Sequence, residues 1–128
     1  MRTRAVAAFA AGTLLLLSAI AHGVLGWPEL RTELQSAGAP ADLTGSLWAG
    51  WIFGSFAMAV FGIIVVDMAI RLWRGTAVAL LPVAAIACGY LAFGVAALAY
   101  LPPSPPLVSF VIVGLILLAV VAGANKRT

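Results

Sequence analysis

Four long apolar runs restrict what this chain can fold into; they span about residues 5–23, 47–70, 76–100 and 107–123. A helix needs about 20 mostly apolar residues to cross a hydrocarbon core of about 30 Å, because each residue rises about 1.5 Å. The runs are near or above that length and lack the alternation of membrane β-barrels. Backbone groups in lipid must be hydrogen-bonded within their own segment. The sequence therefore predicts an all-α, integral membrane four-helix bundle.

Composition supports lipid as the solvent around this chain. Apolar residues make up 64% of the 128 residues and charged residues only 9%. A soluble domain carries roughly a quarter charged residues, so these few charges cannot cover a water-facing surface. At this length we expect one transmembrane domain over residues 1–128.

The basic residues predict the orientation of the helices. Lys and Arg in short loops mark the cytoplasmic side. Arg2 and Arg4 precede the first run, Arg71 and Arg74 separate the second from the third, and Lys126 and Arg127 follow the fourth. Arg31 is the one basic residue on the predicted outer side. Both termini are therefore expected in the cytoplasm. The connections over about residues 24–46 and 101–106 are expected outside.

The N-terminus allows a second interpretation. A basic start, an apolar stretch and the Ala19-Ile20-Ala21 sequence resemble a cleavable signal peptide. Removal of residues 1–21 would leave three spans. The apolar stretch is longer than the usual signal core, which favours a retained first helix.

The outer loop over about residues 24–46 is expected to contain a short amphipathic helix at residues 28–37. Pro28 and Glu29 suit the first turn of a helix, and Gly38 suits its end. Leu30 and Leu34 share one face. Such a helix could lie on the outer leaflet or cap the bundle.

Asp67 is the acid that lies inside an apolar run, and it carries a candidate ion pair. It precedes Arg71 by four residues, which places both side chains on one helix face near the cytoplasmic boundary. An ion pair that anchors the helix end is the expected role. A proton or cation site is the alternative, and the apolar runs offer no second acid to pass a proton onward.

His22 and three tryptophans are expected near the outer membrane surface. Trp27 and Trp48 fit an outer aromatic belt, and Trp51 lies about one turn deeper. Belt packing is the simplest interpretation. The alternative is a pocket at the outer mouth of the bundle, formed by His22, Trp27, Trp48 and Trp51, that receives a lipid or quinone headgroup.

Small residues recur at helical spacing in the second and third runs. Gly50 and Gly54 form a GxxxG element, which allows two helix backbones to approach closely. The predicted helix-packing residues are Ser46, Gly50, Gly54, Gly62, Ala85 and Gly89. Contacts within one chain are expected first, and contacts with a second copy are the alternative.

Several classes of function find no support in the sequence. His22 is the single histidine, no glycine-rich phosphate loop is present, and the basic residues form no stripe for nucleic acid. We therefore predict no catalytic, cofactor or metal residues, no cofactor, and no nucleic-acid partner. The chain is expected not to be an enzyme.

Two functions are favoured over a third, a membrane enzyme that acts on lipid. The first is a non-catalytic accessory, assembly or scaffold component whose small-residue faces pack against a membrane protein partner or another copy. The second is a carrier or transporter of a small hydrophobic compound, since few interior charges permit apolar cargo. In both cases the lipid bilayer surrounds the chain, and its composition suggests a multi-pass protein of a bacterial inner membrane.

Overall fold

The computed structural model describes residues 2–125, and every regular element in that range is helical. Helix α1 is Arg2–Ala21, and a π-helical segment, His22–Gly26, joins it to α2, Trp27–Ser36. Helices α3, α4 and α5 are Ala41–Arg74, Leu80–Tyr100 and Pro105–Asn125. Lys126 and Arg127, which the sequence assigns to the cytoplasmic side, lie outside the described residues.

Four continuous helical stretches among these residues are long and apolar enough to cross a membrane: Arg2–Ser36, Ala41–Arg74, Leu80–Tyr100 and Pro105–Ala124. The first two extend well past the predicted runs. Residues 24–46, predicted as an outer loop, are helical except for residues 37–40. Residues 27–36 are helical as expected, but they continue the first helix and are not a separate element of a loop. The prediction of one domain over residues 1–128 stays a prediction.

Two glycines end helices in the same way. Gly38 follows α2 and Gly75 follows α3, each with a φ of +69°. Gly38 N–H donates to the Gln35 carbonyl, and the next residue donates to the Leu34 carbonyl. The hydrogen bonds around Gly75 repeat this pattern. Only glycine adopts this left-handed conformation without strain, and a Schellman motif ends each of the two helices.

Prolines lie at the start of α4, shortly after its end, and at the start of α5. The third run is predicted to begin at Thr76, with a kink at Pro82, but α4 begins at Leu80. Pro82 therefore lies in the first turn, where its missing N–H has no helical partner to lose. Leu101 is extended, as a residue before proline prefers, and α5 begins at Pro105.

The described residues form two compact units, one of residues 2–12 with 64–125 and one of residues 13–63. In the first unit α4 and α5 are an antiparallel hairpin. A Cβ on Gly94 would lie 2.8 Å from Val111 Cγ2, and a Cβ on Gly114 would lie 2.6 Å from Leu91 Cγ. These separations are shorter than a carbon contact allows, so the two glycines permit the close approach of the helices.

The first unit also contains aromatic packing within the hairpin and a contact between the start of α1 and the end of α5. Phe110 of α5 contacts the rings of Tyr90 and Phe93, with centroids 5.1 and 4.8 Å away. At the other end of α5, a Cβ on Gly123 would lie 2.7 Å from Nε of Arg4. The start of α1 therefore lies beside the end of α5.

In the second unit, the end of α1 and the π-helical segment run antiparallel to the first half of α3. A Cβ on Gly26 would lie 2.9 Å from Cζ2 of Trp51, and a Cβ on Gly23 would lie 3.1 Å from Oγ of Ser55. As residue numbers fall on one helix they rise on the other. This packing places the His22 side chain against α3.

Candidate functional site

His22 and Trp51 form the centre of a polar and aromatic cluster in residues 13–63. Their rings are stacked, with centroids 4.1 Å apart and planes within 6° of parallel. Trp51 Nε1–H also donates a hydrogen bond of 2.6 Å to the His22 backbone carbonyl. A tryptophan in an apolar environment needs an acceptor for its N–H, and this carbonyl provides it.

Trp27 joins this cluster from the first turn of α2. Its ring centroid lies 6.4 Å from that of Trp51, with the planes tilted by 54°. The π-helical segment lies directly before Trp27 and carries Gly26, whose lack of a side chain leaves space for the Trp51 ring. The local sequence thus combines a widened helical turn with a glycine where the indole must fit.

Trp48 stays apart from the other three predicted pocket residues. It is 50% exposed, and in residues 2–125 no ring contact joins it to His22, Trp27 or Trp51. Trp48 lies about one turn before Trp51 on α3 and is turned from it by about 60° around the helix axis. The structure therefore brings together His22, Trp27 and Trp51 and leaves Trp48 at the surface.

Asp67 and Arg71 form an ion pair near the end of α3. Arg71 Nε lies 2.7 Å from Asp67 Oδ2, and the two side chains are 57% and 56% exposed. Among the side-chain donors of Arg71, Nε is the one that forms a hydrogen bond within the described residues. The pair is therefore accessible, and the outer guanidinium nitrogens are open to a further acceptor.

A cavity of about 310 Å³ adjoins this pair. It is formed by the last turns of α3, the connection after Gly75 and the first turn of α4. We call it the Asp67–Arg71 cavity; its lining includes Asp67, Met68, Arg71, Val78, Pro82 and Val83. A lining of apolar side chains beside one pair of opposite charges is suited to an amphipathic ligand.

The predicted helix-packing residues divide between exposed and contacting positions. Ser46, Gly50, Ala85 and Gly89 are exposed, and a Cβ on Gly50 or Gly89 would meet no described atom within 4 Å. Gly62 is buried, and a Cβ on Gly54 would lie 3.6 Å from Nε2 of His22. Four residues turn a helix by about 400°, so a row at this spacing drifts about 40° per step and passes from the exposed face to the packed one.

The glycines of closest approach were not among the predicted packing residues. Gly94 and Gly114 lie in the hairpin, and Gly23 and Gly26 lie beside α3. Gly23 and Gly26 are three residues apart and therefore share a helix face, which is a detectable signal. Gly94 and Gly114 lie in uniformly apolar helices and are not three or four residues from another glycine, so sequence spacing gives no sign of a partner.

Within residues 2–125 no three His, Cys, Asp or Glu side chains converge as a metal site would require. No protein-family model, no curated protein and no solved structure matches this chain. Its function must therefore follow from the contacts and open surfaces of its own side chains.

Proposed function

We propose that this chain is a non-catalytic accessory or assembly component of a membrane, and that it binds a partner transmembrane helix through the exposed small-residue face of α3. The observation that carries this proposal is the open surface around Gly50. No described atom lies within 4 Å of the position its Cβ would take. A helix that carries glycine at an open position offers its backbone to a second helix.

The neighbours of Gly50 suit such an interface. Ser46 lies one turn earlier, and its hydroxyl donates to the Asp42 carbonyl at 3.0 Å, so it can be covered without losing a hydrogen bond. Phe53 lies on the same side and is 74% exposed. A groove at Ser46 and Gly50 beside a large aromatic side chain can receive the ridge of another helix.

The orientation we propose places both termini in the cytoplasm. Arg4 lies beside Gly123, and the α4–α5 hairpin returns to the end from which α4 starts, shortly after Arg71 and Arg74. Basic residues thus gather at one end of the first unit. The positive-inside rule makes that end cytoplasmic, as in a bacterial inner membrane.

The same orientation puts α2 outside the membrane. The stretch Arg2–Ser36 has 35 residues and is therefore about 50 Å long, well above the hydrocarbon thickness. Glu29, Arg31 and Glu33 of α2 are exposed. We propose that α2 is the short amphipathic helix of the outer side, attached as a continuation of the first span.

The carrier hypothesis has less support from the geometry. The candidate outer-mouth pocket would need space among His22, Trp27 and Trp51. The rings of His22 and Trp51 are in van der Waals contact, so no compound fits between them. The packing of these rings is suited to holding the helices together.

The test is the mass of the complex extracted with its native lipid from the source membrane. We expect the wild-type chain together with a stoichiometric partner protein, and loss of that partner in Gly50→Leu. Gly45→Leu is the matched control, because Gly45 is equally open but lies about 140° around the same helix. Extraction of the wild-type chain alone, as a single copy, would contradict the proposal. A defined oligomer of this chain alone would assign the face to self-association instead.

A further inference from the structure

The Asp67–Arg71 cavity has a composition that selects its ligand, independently of the partner surface on α3. Its lining combines apolar side chains, among them Met68, Val78 and Val83, with one carboxylate and one guanidinium in contact. The two charges cancel. A ligand of either single sign would therefore meet one attractive and one repulsive group.

We propose that this cavity binds an ammonium–phosphate zwitterion of the phosphoethanolamine type, as a phospholipid headgroup or as the free compound. The phosphate would accept hydrogen bonds from the outer nitrogens of Arg71. The ammonium would donate to Asp67, whose carboxylate has acceptor positions beyond the one that Arg71 Nε uses. The apolar side chains of the lining would cover the adjoining methylene groups.

The size of the cavity and its place on the helix agree with such a headgroup. About 310 Å³ lies at the small end of ligand pockets, which suits a headgroup and the first carbons of a lipid. The apolar run of α3 ends at Ile70 and is followed by Arg71, Trp73 and Arg74. Arginine and tryptophan at a span end mark the headgroup region of a bilayer.

The experiment measures binding of defined ligands to the purified full chain in detergent by native mass spectrometry and thermal shift. The lipids are dilauroyl phosphatidylethanolamine, phosphatidylcholine and phosphatidylglycerol, and the soluble ligands are phosphoethanolamine and inorganic phosphate. We expect phosphatidylethanolamine to bind about tenfold tighter than the other two lipids, the difference made by one charge-assisted hydrogen bond. Phosphatidylcholine lacks the N–H donors for Asp67, and phosphatidylglycerol lacks the cation.

Variants separate the two charges. Asp67→Asn should remove the preference for phosphatidylethanolamine over phosphatidylglycerol, whereas Arg71→Gln should weaken the binding of both. Ala79→Phe, which fills the cavity and leaves both charges, should abolish binding. Arg31→Gln is the matched control, since Arg31 is an exposed arginine of α2 outside the cavity. The ratio of the binding affinities for two lipids, measured within one variant, is insensitive to a general loss of stability.

The outcomes distinguish the sources. Binding of phosphatidylethanolamine without binding of free phosphoethanolamine assigns the site to the lipid, and binding of both assigns it to the headgroup chemistry alone. Equal binding of all three lipids, or an unchanged lipid preference in Asp67→Asn, would overturn the proposal. So would free phosphate that binds as well as phosphoethanolamine.

Discussion

Trp51 is joined to His22 twice, through a ring stack at 4.1 Å and through a hydrogen bond of 2.6 Å to the His22 carbonyl. His22 is the first residue of the π-helical segment. A π-helical turn departs from the regular hydrogen-bond ladder, so a side-chain donor from another helix stabilises it where it begins. The two residues are 29 positions apart in the sequence, and each holds the ring of the other in position.

Trp51→Phe should destabilise the protein by about 1–2 kcal/mol, because it keeps an aromatic ring but leaves the His22 carbonyl without its donor. Thermal unfolding in detergent measures the loss. Trp48→Phe is the matched control, since Trp48 lies on the same helix and is half exposed, and it should change stability by less than about 0.5 kcal/mol. Equal effects of the two substitutions would show that the hydrogen bond contributes nothing.

Gly114→Ala should loosen the α4–α5 hairpin. Its new methyl group would lie 2.6 Å from Leu91 Cγ and 3.1 Å from the Ala87 carbonyl oxygen, and the carbonyl is backbone that cannot move aside easily. We expect a loss of about 1–3 kcal/mol, typical of overpacking. Unfolding in detergent is the measurement.

The control for the hairpin is Gly89→Ala. A Cβ at Gly89 would meet nothing within 4 Å among the described residues. Alanine there should be neutral or stabilise by up to about 1 kcal/mol, because glycine is the poorer helix former. A Gly89→Ala variant as damaged as Gly114→Ala would contradict the described packing of α4.

Deletion of Leu25 should be tolerated, whereas deletion of Leu17 should not. Both side chains are exposed, at 69% and 58%. A π-helical turn holds one residue more than an α-helical turn, so removal of Leu25 restores a regular helix and leaves Trp27 near Trp51. Removal of Leu17 from regular α1 rotates every later residue by about 100°.

The measurement for the deletions is unfolding temperature together with tryptophan fluorescence, which reports the surroundings of Trp51. We expect the Leu25 deletion to melt within a few degrees of the wild type with an unchanged spectrum. Equally lowered unfolding temperatures of the two deletion variants would contradict the interpretation of the π-helical segment as a helix with one additional residue.

Single cysteines should report the proposed orientation. In a Cys88→Ala background, Ser36→Cys and Ser104→Cys should react with a membrane-impermeant maleimide added to intact cells. Thr76→Cys should react only after the membrane is opened, because Thr76 follows the basic residues Arg71 and Arg74. The reverse labelling pattern would invert the topology.

Features governed by local chemistry could be predicted from the sequence. Four apolar helices follow from the length and composition of the runs, and the helix ends at Gly38 and Gly75 follow from the conformation that glycine allows. The pairing of Asp67 with Arg71 follows from their spacing on one helix. Each of these depends on residues that are close in the sequence.

Features that depend on distant residues could not be predicted. The helix continues through residues 22–36 by way of a π-helical segment whose first carbonyl is bonded by Trp51 of another helix. The separation of Trp48 from the ring cluster, and the division of the glycine row into open and packed positions, depend on which face of α3 meets a neighbour. Spacing alone gives the relative angles of these residues but not the direction of the partner.

The contact of Arg4 with Gly123 has a consequence for engineering. Because the start of α1 lies beside the end of α5, a short flexible linker can join these two helix ends into a ring. The ring can then be reopened at residues 37–40, the brief non-helical break before α3. Such a circular permutant would carry its new ends at this break, where a reporter or affinity handle can be fused without altering the contact of Arg4 with Gly123.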